Sequence, residues 1–241
     1  YAKIADAESS IWLINQAIQA DSLNIKYLNA RGQLYYEMGK WPEANDAFEK
    51  TINVQANYAS YNYLALINLQ TGEYEQSRNY AEQSLKYSSN NLDKSSAYLG
   101  IGDANAKTYN YQPAYVAYKK AIELNPKNLN ALNNITTVLD EVNRPEEKLK
   151  YFNQILEIDS SYYLAHINIG FYYLGKEKYE NALNEFNAVL KVDSLQPVAL
   201  SNKAFALMKL DHLNDALEVI NNSINLDPNN SYAHRNKALI Y

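Results

Sequence analysis

Four asparagines, Asn134, Asn168, Asn202 and Asn236, follow one another at intervals of 34 residues. A carboxamide carries both a donor and an acceptor. A row of them at one pitch therefore has the chemistry to hold the backbone of an extended chain without reading its side chains. Phe171 and Phe205 share the same spacing and could form a continuous apolar strip beside that row. An exposed strip of this kind marks an interaction site, whereas a covered one is helix packing.

Other residue types that do chemistry are sparse or badly placed. The chain has three histidines and no cysteine, which excludes disulfides and thiolate metal sites. His166 and His234 lie 68 residues apart, two periods, so their spacing follows the architecture and implies no shared site; His212 falls in a turn. No HExxH and no phosphate-cradling glycine loop occurs. Gly100 and Gly102 in LGIGDANA resemble half of a dinucleotide fingerprint, but they sit inside a predicted helix with no strand before them. The carboxylate pairs Asp140/Glu141 and Glu146/Glu147 read as solvated helix faces and first-turn charges. These observations predict no catalytic residues, no metal and no cofactor. The net charge is −5, from 22 basic and 27 acidic residues mixed along the chain, so no basic stripe is available for nucleic acid. No apolar run approaches the ~20 residues that span a bilayer.

The elements that must carry the asparagines repeat. A block with one skeleton returns every 33 to 37 residues, a period that points to a solenoid of helix pairs. The full units read 25–57, 58–94, 95–128, 129–162, 163–196 and 197–230. Residues 1–24 read as the second half of an earlier unit, and 231–241 as the first half of a later one. In each first helix a large residue precedes a small one by four, as in Leu28/Gly32, Tyr98/Gly102, His166/Gly170 and Leu200/Ala204. In each second helix a small residue precedes a large one by four, as in Ala44/Phe48, Ala114/Tyr118 and Ala182/Phe186. These are knobs and holes for antiparallel helices. All six prolines fall at predicted helix boundaries, and Gly39 and Gly72 sit in intra-unit turns, as C-terminal caps would. Ile4, Ala7, Ile11, Ile14 and Ile18 predict a packed helix over 3–20. About three extra residues near Asn91–Lys94 predict a longer inter-unit loop.

The pattern of large, Gly/Ala, Tyr in one helix and Ala, Phe/Tyr, Ala in the next resembles the tetratricopeptide repeat. The segments GEYEQS, AYKKAIELNPKN and NIGFYYLGKEKYENALNEF carry the resemblance, which covers essentially the whole chain. Unit 129–162 departs most, with Thr136, Asn143, Pro145 and Lys148 at family positions. The resemblance implies an all-α fold, a right-handed superhelical solenoid of antiparallel helix pairs with about 14 helices and no enzymatic activity. It also implies a concave groove lined by the first helices, into which Asn134, Asn168, Asn202 and Asn236 would point. Neighbouring groove positions are Ile167, Phe171 and Leu174, then Phe205 and Met208, with Leu66 and Leu69 in the second unit. Family members that grip a C-terminal carboxylate use a basic pair in the third unit, where this chain has Ser96, Leu99 and Gly100, so that subtype is not expected.

The implied function is a non-catalytic scaffold that binds a protein or an extended peptide in its groove. Two alternatives stay open. One is a structural subunit of a cell-envelope or secretion assembly, docking through its convex face or ends. The other is the non-catalytic arm of a larger enzyme. The first helix that ends the chain has no second helix to cover it, which is compatible with truncation or with a homodimer through uncapped ends. Direct membrane insertion is not expected. The compartment is left open between the cytoplasm and export to the periplasm or cell envelope after loss of an N-terminal signal.

Overall fold

The computed structural model describes the backbone of residues 2–240 and the side chains of residues 8–240. The expected stripe at Ile4 and Ala7 thus lies outside the described side chains, while Ile11, Ile14 and Ile18 are half-buried. The described residues form fourteen α-helices, one short 3-10 turn and no strand. The chain divides into two compact units, 1–145 and 146–241.

The first unit contains α1 (Ala2–Ala20), α2 (Ile25–Glu37), α3 (Trp41–Val54), α4 (Tyr58–Thr71), α5 (Tyr74–Tyr87), α6 (Asn91–Lys107), α7 (Tyr111–Leu124) and α8 (Leu129–Val138). The second contains α9 (Lys148–Ile158), α10 (Tyr163–Gly175), α11 (Tyr179–Val192), α12 (Pro197–Lys209), α13 (Leu213–Leu226) and α14 (Ser231–Ile240). Short turns make sequential helices antiparallel neighbours. Alternate helices also touch: α4 meets α6, α6 meets α8, and α12 meets α14. First helices therefore lie side by side within each unit, which is how side chains one period apart come to share a surface.

Three first-helix glycines set the closeness of the pairs. A Cβ on Gly32 would lie 2.8 Å from the Phe48 ring, one on Gly102 2.4 Å from Tyr118, and one on Gly170 2.6 Å from Phe186. Each ring is buried against the glycine of its partner helix. Tyrosines do much of the remaining packing in the first unit. Around buried Phe48, Leu64 and Ile67 stand Tyr35, Tyr36, Tyr61, Tyr63 and Tyr80. Tyr63 stacks on Phe48 with ring centroids 4.8 Å apart, and Tyr36 meets Tyr63 edge-on at 5.2 Å.

The turn that follows each first helix from α2 to α12 puts one residue in the left-handed region. These are Gly39 (φ 70°), Gly72 (88°), Tyr109 (60°), Asn143 (57°), Glu177 (57°) and Asp211 (65°). The same geometry recurs whether or not glycine supplies it: Asn143 and Asp211 are types that tolerate it, and the helix pairing imposes it on Tyr109 and Glu177, which do not favour it.

The structure corrects the expected loop at 91–94. Those residues are helical and lengthen α6 to 17 residues. Asn90 caps the helix, its side-chain oxygen accepting from the Asp93 backbone N–H at 2.9 Å. Asp93 also places a carboxylate in the first turn, where the helix dipole favours it.

Candidate functional site

In the second unit, α10, α12 and α14 line one cleft of about 490 Å³. Its apolar wall is Phe171 and Leu174 from α10, Val198 and Phe205 from α12, and Tyr232 from α14. Phe171 is 43% exposed, Val198 39% and Tyr232 68%, so the wall is open to solvent. Phe171 is held edge-on to buried Phe186, with centroids 6.1 Å apart, which fixes the ring while leaving a face free. The Lys209 ammonium lies 5.6 Å from the Phe205 ring centroid. Ser201, Asn202, Asn230, Arg235 and Asn236 supply the polar part of the lining, which includes a guanidinium and no carboxylate.

The asparagines do not behave as four equal groups. Asn202 donates its Nδ2 to the Val198 carbonyl of its own helix at 2.7 Å. Asn236 is 4% exposed and donates Nδ2 to the Ser201 carbonyl at 3.1 Å, tying α14 to α12. Asn168 is half-buried. Asn134 belongs to the first unit and donates Nδ2 to Asp103 Oδ1 at 2.8 Å. Asn202 and Asn236 meet in the cleft together with Phe171, Leu174 and Phe205.

Two groove expectations are corrected. Ile167 is buried with Ala182, Phe186, Val189 and Ala199, because one residue along a helix turns the side chain about 100° away from Asn168, toward the second helices. Met208 is half-buried against the cluster of Ala204, Leu207, Ala216, Ile220, Ala233 and Ile240, which α12, α13 and α14 share, and it does not line the cleft.

In the first unit, α4, α6, α7 and α8 line a cleft of about 370 Å³. At its wall the Asp103 carboxylate accepts two hydrogen bonds on Oδ1, from the Tyr118 hydroxyl at 2.9 Å and from Asn134 Nδ2 at 2.8 Å. Burial pushes the Asp103 carboxyl above its ordinary range, against the bonds from Asn134 and Tyr118 and the field of Lys107. The Tyr118 hydroxyl is raised as well, first by burial and then by the adjacent carboxylate.

Family models described as tetratricopeptide repeat match residues 29–91, 95–128 and 117–150. The helix pairs, the glycine–ring contacts and these matches agree. The chain belongs to the tetratricopeptide repeat family. A TPR repeat-containing protein of Methanocaldococcus jannaschii is 28% identical over 166 residues, 66% of this chain and 29% of that protein. A DnaJ homolog subfamily C member 7 homolog of Dictyostelium discoideum is 25% identical over 174 residues, 70% of this chain and 28% of that protein. The chain thus spans under a third of the length of these curated relatives. Among solved structures, the C-terminal part of a TPR repeat-containing protein from Cytophaga hutchinsonii superposes with a TM-score of 0.75 at 15% identity, covering 97% of this chain and 95% of that one. YrrB, described as a TPR protein with an unusual peptide-binding site, gives 0.67 at 22% identity, covering 81% of this chain and all of that one. These likenesses show the all-α solenoid fold.

As a tetratricopeptide repeat protein, the chain points to a protein-interaction scaffold. No described helix is long and apolar enough to cross a membrane. The histidines of the repeats make separate local polar contacts: His166 Nδ1 lies 2.7 Å from Glu185 Oε2, and exposed His234 has Nε2 2.8 Å from the Pro228 carbonyl. Val198 and Tyr232 are cleft residues that the sequence reading did not single out. They too are 34 apart, so the same period could have found them. Arg235 and Asp103 have no periodic counterpart and were missed.

Proposed function

We propose that this chain is a non-catalytic scaffold of six full repeat units, 25–57, 58–94, 95–128, 129–162, 163–196 and 197–230, which binds an extended peptide segment along its first helices. The cleft of α10, α12 and α14 carries the reading: exposed Phe171 and half-buried Phe205 lie one period apart beside two asparagines. The amides alone are insufficient. Four hydrogen-bonded contacts at about 1 kcal/mol each give roughly millimolar binding. Micromolar binding needs roughly 4 kcal/mol more, and burying side chains against Phe171, Val198, Phe205 and Tyr232 is the available source at about 1.5–3 kcal/mol per large side chain. Arg235, with no carboxylate beside it in the cleft, favours a ligand that carries an acidic group next to its apolar residues.

Asn168, half-buried on α10, extends the proposed row within the second unit. Selection of peptides from a displayed random library against the wild-type chain tests the reading. The selected sequences should pair an apolar residue with a carboxylate, and Phe205→Ala should weaken them about tenfold or more. Selected peptides that bind Phe205→Ala and Asn202→Ala undiminished would remove the cleft from the account.

A second reading has its own observation. Ile158, Val192 and Leu226 lie 34 apart near the ends of α9, α11 and α13, are exposed, and do not line the cleft. They suit docking of an assembly partner on the second helices, and binding lost on their replacement, with the cleft variants silent, would favour that reading.

A further inference from the structure

Asp103 is a carboxylate without a direct ion-pair partner among the described residues. It projects from α6 into the cleft of the first unit, where Leu69, Ala106, Tyr111, Thr137 and Val138 complete a largely apolar wall. Both of its hydrogen bonds, from Tyr118 and Asn134, land on Oδ1. Among the described residues no Lys, Arg or His reaches within salt-bridge distance of it. Lys107, one helical turn later, is exposed and shares the cleft without pairing with the carboxylate. Two neutral donors orient the group, and only the field of exposed Lys107, with no direct ion pair, offsets its charge in a half-buried place. A structural tie between α6, α7 and α8 needs only an acceptor, and an asparagine would provide one. The charge itself is surplus to that task.

We infer that this cleft is a subsite for a basic side chain, lysine or arginine, of a bound partner, with its cationic head seated against Asp103 Oδ2 and its alkyl stem against Leu69 and Val138. Tyr118 and Asn134 act as positioning residues: they hold Oδ1 and so aim Oδ2 at the cleft. The subsite stands on the first compact unit and does not depend on the aromatic cleft of the second. An ion pair formed here is worth more than one on an open surface, because the apolar wall limits screening on one side. Lys107 opposes the incoming charge, but as an exposed group it does so through solvent.

The test uses N-acetyl-arginine amide and N-acetyl-lysine amide as probes, with N-acetyl-norleucine amide as the uncharged comparator, titrated into the isotope-labelled chain. The side-chain amide of Asn134 and the ring of Tyr118 are the reporters. The cations should shift both, the comparator should shift neither, and the effect should weaken with added salt. Asp103→Asn retains the acceptor for Tyr118 and Asn134 and should reduce affinity at least tenfold. Lys107→Gln lies outside the hydrogen-bonded set and should tighten binding a fewfold, which keeps the proposal falsifiable if Asp103→Asn disturbs the fold. Cation shifts that persist in Asp103→Asn, or no response of either reporter in the wild-type chain, would overturn the subsite and leave Asp103 as a tie between helices.

Discussion

Gly100 and Gly102 stand two residues apart on the same helix and face different surroundings, so they form a matched test of how the repeats pack. A Cβ added at Gly102 would lie 2.4 Å from Cε1 and 2.5 Å from Cδ1 of Tyr118. An ordinary contact needs about 3.4 Å or more, so the ring or the helix must retreat by about 1 Å. Tyr118 is 2% exposed and its hydroxyl is held by Asp103, so the ring has no free direction to take. Overpacking of this kind costs about 1–3 kcal/mol. A Cβ at Gly100 would meet only the Ala81 Cβ, at 3.4 Å. Both Gly→Ala changes gain the same helix propensity, about 1 kcal/mol. That contribution cancels in the comparison, so Gly102→Ala should be less stable than Gly100→Ala by about 1–3 kcal/mol. Gly100→Ala itself should be slightly more stable than wild type. Urea unfolding followed by far-ultraviolet circular dichroism measures the difference as a shift in midpoint at constant slope. Equal midpoints for the two variants would refute the argument that Gly102 is present to admit the Tyr118 ring.

Further expectations follow from the same contacts. Gly170→Leu should destabilise by at least as much as Gly102→Ala, since its first atom already lies 2.6 Å from Phe186, and an unchanged melting temperature would mean the helices are not so closely set. Tyr109→Gly should stabilise by about 0.5–1 kcal/mol, because relief of a left-handed residue, about 1–2 kcal/mol, exceeds glycine's entropy cost of about 0.5–1 kcal/mol. Ser95→Ala should cost about 1–3 kcal/mol in unfolding experiments, since the Ser95 hydroxyl donates to the Ala121 carbonyl at 2.8 Å and accepts from Asn128 at 2.9 Å inside the first unit. For Asp103 the folded carboxyl is raised above its ordinary value of 3.8 by burial, so the folded chain holds that proton more tightly than the unfolded one. Its contribution to stability is then full below 3.8 and is lost as pH rises through the folded value. Asp103→Asn should therefore melt higher than wild type at pH 7, with the gap closing at pH 3 in paired thermal scans.

The architecture was readable because a solenoid writes its packing into the chain at one period. Gly32/Phe48, Gly102/Tyr118 and Gly170/Phe186 are legible as small and large residues at matched positions, and they meet in space as such pairs must. Part of the cleft was legible for the same reason: Phe171, Phe205, Asn202 and Asn236 line it at helical spacing. Periodicity could not tell a groove position from its neighbour. Ile167 has suitable chemistry, yet a rotation of one residue from Asn168 sends it into the core, and Met208 packs half-buried against a neighbouring cluster. Nor does a period reveal what an amide has already bonded: Asn236 and Asn134 each spend a donor on a neighbouring first helix. The Asp103 cluster occurs once and joins residues 15 and 31 positions away, so only the packing of α6, α7 and α8 brings it together. The extra turn of α6 was hidden because Asn90 and Asp93 suit a loop as well as they suit a helix start.

The claim that the cleft of α10, α12 and α14 receives a peptide is tested most directly by a paired capture. The wild-type chain and a Phe171→Ala/Asn202→Ala/Phe205→Ala variant of equal helicity and melting behaviour would serve as baits in a lysate of the source cells, with bound proteins quantified by mass spectrometry. A synthetic peptide from the best-enriched protein would then be titrated against both. The account predicts a partner retained by the wild type, lost from the variant, and reproduced by a short segment that combines an apolar residue with a carboxylate. Identical captures by the two baits, with no segment that distinguishes them in titration, would contradict it.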